Sequence, residues 1–240
     1  MTRHLPRVLV VLLVLLVLLV VADRVGAVLA ARSVAQGLTT SQRLGGPASV
    51  SFPSIPFLTQ AARGRYDTVE VSLPRVPTRT DLVIDRVDAT LHGVDAPTGA
   101  LLRGELRSLL VERAEADAFV SYASLESVAA RSLSGVVSSL QLSGVTGDRV
   151  AVSGRVTTSL GAFTVRSQAQ VRVVSGALSV RIVPESLTGV PAVLRSRVSQ
   201  LVDLGSLVPP LPFGFRPTAV TVAADGLRLR ATASKLTFPV

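Results

Sequence analysis

At 240 residues the chain is long enough for one large domain or two small ones, and having no Cys it carries no disulfide framework, no thiolate metal site and no acylated cysteine. Its formal charge is +9, but all except one of the 25 basic residues are Arg, scattered along the chain, with Lys235 the exception. There is no basic helix, zinc finger or RNP-like motif, which argues against a nucleic-acid partner. Codon bias is the bland source of so much Arg; the functional one is attraction to anionic lipid headgroups.

The first element is "VLVVLLVLLVLLVVA", Val8 to Ala22, fifteen apolar residues behind Arg3, His4 and Arg7. A basic flank stays in the cytoplasm, so the remainder of the chain is expected outside it. Fifteen residues suit a signal-peptide h-region and fall short of the ~20 that a spanning helix needs. Helical spacing nevertheless continues through "DRVGAVLAARSVA", with Asp23 and Arg24 at the far interface. The small-x-small pattern at Ala27–Ala30 lies behind those two charges, so an uncleaved signal anchor over residues 1–24 is preferred to a cleaved peptide. The expected organisation is that anchor, a juxtamembrane helix over 25–48 and a domain over 49–240. The expected location is the cell membrane, single-pass, with the C-terminal domain extracytoplasmic; cleavage and secretion is the second choice.

Next comes "SFPSIPFLTQAARGRY", which gathers Phe52, Ile55, Phe57 and Leu58 around two prolines, followed by Arg63, Arg65 and Tyr66. The whole chain has seven Phe, two Tyr and no Trp, so the concentration stands out. From here the hydrophobic period changes to two. Val69, Val71 and Leu73 face one way, then Val83, Val87, Ala89 and Leu91, then a strand from about Leu109. "SYASLESVAARSL" reads as a helix with Ser121 as N-cap. "FTVRSQAQVRVV" alternates strictly, turns at Ser175-Gly176 and returns through Leu178, Val180 and Ile182 as a hairpin. A second amphipathic helix is expected over residues 190–204. A last hairpin turns at Asp225-Gly226. The class is α+β, with strands longer than the usual five or six residues. So long a sheet can curl around a helix; pattern alone leaves open whether its interior is filled or has room for an acyl chain.

Catalytic constellations are sparse. His4 lies in the cytoplasmic tail, and His92 has no G-x-S-x-G elbow to serve. The acidic sets Asp85 with Asp88, and Glu112 with Glu115 and Asp117, read as solvated strand faces. No phosphate loop or metal spacing occurs. An enzyme is therefore not expected, nor any cofactor.

Two segments place apolar residues beside a guanidinium on rigid, non-helical backbone: Phe52, Ile55, Phe57 and Leu58 with Arg63 and Arg65, and Leu211, Phe213 and Phe215 with Arg216. Such pairs could line a tunnel mouth, acyl chains on the apolar side and phosphate on Arg. The bland alternative is that the aromatics plug the ends of a core. On the first of these readings Phe57→Asp would lower lipid binding and spare the fold.

An N-terminal membrane segment with "PFLTQAARGRYDTVEV" and "LPFGFRPTAVTVAADGLRLRATA" resembles the LmeA-like phospholipid-binding family of actinobacterial cell envelopes. The likeness covers roughly residues 25–240. It implies a fold similar to tubular lipid-binding proteins, in which a long, strongly curved antiparallel sheet wraps a helix and encloses a lipid-binding groove. It also implies a non-catalytic extracytoplasmic protein that binds phospholipid, of anionic, phosphatidylinositol type, and supports envelope lipid or lipoglycan assembly. The competing reading is a structural or adaptor protein with a filled core and a protein partner.

Overall fold

The computed structural model describes residues 5–41, 44–78, 82–97, 99, 108–132, 137–145, 147–158, 161–189 and 214–239. Helix α1, Leu5–Ser41, runs unbroken for 37 residues, about 55 Å at 1.5 Å per residue. The short strand β1 (Ser49–Ser51) and helix α2 (Phe57–Arg63) come after it, then β2 (Arg65–Pro77), β3 (Val83–Asp95) and β4 (Ser108–Ser121). Helix α3 (Tyr122–Ser132) separates these from the meander β5 (Val137–Gly144), β6 (Arg149–Thr158), β7 (Gly161–Val174) and β8 (Ala177–Thr188). The hairpin β9 (Arg216–Val222) and β10 (Gly226–Pro239) closes the order.

The class is α+β as expected, but the strands divide between two antiparallel sheets, of order β1-β2-β3-β4-β10-β9 and β5-β6-β7-β8. Neither closes into a barrel. The division begins at the end of β4, where a contact distant in sequence turns the chain. Asp85 accepts the Ser121 N–H at 2.7 Å and the Ser124 hydroxyl at 3.1 Å, while Ser121 Oγ accepts the Ser124 N–H at 3.2 Å. These groups satisfy the free donors at the start of α3, so the chain leaves the sheet there and the meander forms apart. Burial works against the charge on Asp85, but its Ser121 and Ser124 donors outweigh that and hold its carboxyl below the ordinary range.

The first sheet is built on cross-strand rows of inward side chains. Tyr66, Val94, Val111 and Leu236 lie opposite one another in the register of β2, β3, β4 and β10, and all four are buried. The next inward row is Val69, Leu91, Ala114 and Ala233. The two rows are three residues apart on every strand, whereas simple alternation gives two. Gly93 (φ 60°) and Lys235 (φ 53°) take the left-handed conformation on the line between them. The sheet is therefore creased along one line across four strands. Two-residue alternation then resumes through Val71–Ala89–Ala116–Ala231 and Leu73–Val87–Ala118–Leu229. Val83, expected on the inward face, is exposed instead. The left-handed Arg75 (φ 47°), in the register opposite Asp85, shifts the alternation near the end of the β2–β3 pair.

The C-terminal half of α1 packs on the first core, with Ala27 buried and Ala30, Ala31, Val34, Ala35 and Leu38 against it. A second core joins the sheets: Tyr122 and Leu125 of α3 meet Val150, Val171 and Val180 of the second sheet and Val220, Val222 and Leu227 of the first. The two sheets approach closely at Gly144, where a Cβ would lie 2.3 Å from the Ala223 carbonyl oxygen. The Tyr122 hydroxyl donates to that same oxygen at 2.9 Å.

Candidate functional site

The end of the domain from which the apolar half of α1 projects is assembled from α1, the loop at residues 52–56 and α2. Val10 through Val21 expose their side chains along one continuous apolar rod. By length and composition α1 can cross a membrane, and among the described residues it is the one helix that can. Just past the rod, Asp23 is only 3% exposed, and its carboxylate accepts from Arg24 at 2.7 Å and from the Leu58 N–H at 2.7 Å. Arg24 also donates to the Ser54 carbonyl at 3.3 Å. Two adjacent charges on α1 thus clasp both ends of the Ser54–Leu58 segment.

Behind that clasp stand three rings. Phe52, Phe57 and Tyr66 have centroids 5.2, 5.1 and 5.9 Å apart, within the range of favourable aromatic pairing. Gln60 holds α2 in place: its amide donates to the Pro56 carbonyl at 3.2 Å and its carbonyl accepts the Asp67 N–H at 2.9 Å. Gly64 caps the helix in the left-handed region (φ 67°), and its carbonyl receives the Ala96 N–H at 2.8 Å.

The residues singled out in the sequence separate into distinct roles. Phe52 and Phe57 are buried, the latter only 4% exposed, and with Tyr66 they form the core plug. Phe57→Asp would therefore place a charge inside the core; the expectation that it spares the fold does not fit this burial. Ile55 and Leu58 point outward, 71% and 44% exposed. A Cβ at Gly26 would come within 3.3 Å of Leu58, so Leu58 lies directly against α1. Arg65 is engaged with Glu112 at 2.6 Å and Asp95 at 3.9 Å. Arg63 and Arg216 are exposed, and among the described residues no carboxylate pairs with either. Phe215 packs on the same core as Phe52 and Phe57. Leu211, Phe213 and the helix expected over 190–204 lie outside the described residues.

Past α1, the inward face of the first sheet continues as a strip of Leu73, Val87, Ala89, Ala116, Ala118 and Leu229, each half-buried. Ala at three of these positions leaves the strip shallow and wholly apolar. The opposite face of the same strands carries both signs, with Arg230 in the row of Asp88 and Asp117 and with Arg86 and Arg228 in the next row. Glu70 and Glu115 sit one row from Asp88 and Asp117, with Ser51 donating to Glu70 at 2.9 Å, Ser72 to Asp88 at 2.6 Å and Arg230 to Asp117 at 3.1 Å.

A separate cleft of about 750 Å³ opens over the second sheet. Its lining of Glu126, Gln141, Ser153, Arg166, Ser167 and Ser186 is mostly polar, which does not suit an acyl chain. Four of the five carboxylates considered for catalysis are engaged structurally, Asp85 at the start of α3, Asp88 with Ser72, Glu112 with Arg65 and Asp117 with Arg230, and the fifth, Glu115, stands beside them on the outer face of the sheet. No group of three metal-ligating side chains occurs among the described residues.

Sequence reasoning missed the clasp. Asp23 and Arg24 read as an ordinary interfacial pair, because their partners lie 35 and 30 residues on and leave no local signal.

A family model described as LmeA-like phospholipid-binding matches residues 21–232 of the chain. No curated protein and no solved structure matches it.

Proposed function

Because the chain belongs to the LmeA-like phospholipid-binding family, we propose that it is a membrane-tethered, extracytoplasmic protein that holds phospholipid without catalysis and serves assembly of envelope lipid or lipoglycan. The acyl chains lie along the strip Leu73, Val87, Ala89, Ala116, Ala118 and Leu229, between α1 and the junction of the two sheets. Ile55, Leu58 and Phe215 meet the lipid at the membrane-proximal end, while Phe52 and Phe57 support them from behind. Arg63 and Arg216 take the phosphate, which favours anionic headgroups of the phosphatidylinositol type.

The observation that carries this reading is the continuity of α1. One helix is an exposed apolar rod at one end and part of the domain core at the other, so the inward face of the first sheet, which the strip continues, starts beside the bilayer. Each methylene buried from water contributes about 0.8 kcal/mol, and an apolar strip with few polar contacts suffices to retain a chain. The test is native mass spectrometry of the full chain released from detergent, with lipid identification; α1 must be kept because Ala27 to Leu38 belong to the core. A stoichiometric phospholipid is expected. A bare protein that also takes up no lipid from vesicles points instead to a filled core and a protein partner.

A further inference from the structure

The apolar rod of α1 is too short for the membrane it is meant to cross. Val8 to Ala22 is 15 residues, ~22 Å of helix against a hydrocarbon layer of ~30 Å. The rod ends at a pair of charges, the usual close of a span. Here, however, the two charges are paired with each other and with the loop: Asp23 is almost wholly buried, bonded to Arg24 at 2.7 Å and to the Leu58 N–H at 2.7 Å, and the half-exposed Arg24 donates also to the Ser54 carbonyl. Beyond it the exposed side chains are apolar again, with Val25, Val28 and Leu29 on the helix and Ile55 and Leu58 on the loop beside it.

We infer that the Pro53–Leu58 loop is itself seated in the bilayer, so that the apolar belt runs from Val8 to Leu29 and includes Ile55 and Leu58. That belt is 22 residues of helix, ~33 Å, which matches the hydrocarbon thickness that the shorter run fails to cover. The backbone of the loop is suited to such a place, where unpaired polar groups are costly. Pro53 and Pro56 have no N–H. The Ser54 carbonyl accepts from Arg24, the Pro56 carbonyl accepts from Thr59 Oγ1 at 3.0 Å and from Gln60, and the Leu58 N–H is spent on Asp23. The domain is thereby held on the membrane at two points, helix and loop, and the clasp fixes one against the other. This inference rests on α1 being the membrane anchor; it does not depend on where the lipid lies in the domain.

The absence of Trp makes the test direct. Single-Trp variants of the full chain are reconstituted into phosphatidylcholine–phosphatidylglycerol vesicles: Ile55→Trp, Val14→Trp within the rod, and Val174→Trp on the β7–β8 hairpin, all at exposed positions. The emission of Ile55→Trp should be blue-shifted from that of Val174→Trp. Lipids brominated near the top of the acyl chain should quench it, and those brominated near the bilayer centre should quench Val14→Trp most. An Ile55→Trp signal like that of Val174→Trp, beside a deeply quenched Val14→Trp, overturns the inference and leaves the anchor standing. A blue shift without bromolipid quenching places the ring against protein and overturns it equally. If Val14→Trp is also unquenched, the anchor reading fails, and this inference with it.

Discussion

Phe57 and Ile55 stand two residues apart in one loop-to-helix segment, and the structure assigns them opposite roles that a pair of truncations separates. Phe57→Ala removes a ring that is 4% exposed and touches both Phe52 and Tyr66. Truncating a buried Phe costs about 3–5 kcal/mol, the cavity included, and two lost ring contacts of about 0.5–1.5 kcal/mol each fall within that figure. For a domain of this size the melting midpoint falls on the order of 10 °C, at about 2–4 °C per kcal/mol. Ile55→Ala removes a side chain that is 71% exposed and should change stability by no more than about 0.5 kcal/mol. The assay is thermal unfolding of the full chain in detergent by far-UV circular dichroism, with lipid occupancy measured on the same samples. Phe57→Ala should melt early; Ile55→Ala should melt normally and hold less lipid. If Phe57→Ala kept its midpoint and lost only its lipid, the three rings would be a lipid contact and the core-plug assignment would be refuted.

Gly144→Ala should uncouple the two sheets, because its Cβ would sit 2.3 Å from a backbone oxygen that cannot rotate away. A lowered midpoint together with increased hydrogen exchange at the β9–β10 turn is expected, and Tyr122→Phe should show a weaker version worth about 1 kcal/mol. Acidification should weaken the fold through Asp85. Its folded carboxyl lies below the ordinary value, so its contribution is complete above that value, near pH 4. The contribution is lost as pH falls through the lower, folded value. Urea midpoints measured from pH 5 downward should therefore fall less steeply for Asp85→Asn than for the parent. Asp148, held low by Arg172, adds a loss of the same sign in both proteins.

What could be read in the sequence was whatever depends on neighbours a few residues away. The strict alternation of Phe163 to Val173 became β7, Ser175-Gly176 became the turn into β8, and Asp225-Gly226 the turn into β10. Ser121 became the cap of α3. The rod of α1 and its helical continuation were equally local. The division into two sheets was not, since it turns on Asp85 reaching Ser121 across 36 residues. Nor was the sorting of the 52–58 segment: Phe52, Ile55, Phe57 and Leu58 are chemically alike, and only the rings of their neighbours and the charges of α1 decide which face inward. The pairing of Arg65 with Glu112 likewise needed the register of three strands before it could be seen.

The crease across the first sheet has a consequence for how such a sequence can change over generations. Tyr66–Val69, Leu91–Val94, Val111–Ala114 and Ala233–Leu236 all take the same three-residue step, so the four strands are out of simple alternation together. A single-residue deletion at the step in one strand would restore that strand's own alternation and leave it one residue short of its neighbours across the crease, so that one residue faces two on each side. Loss of one residue is thus harmful here not through the contacts it removes but through disagreement with three neighbours. The length of each strand is inherited as a property of the set, and only a change made in all four would leave the pairing intact.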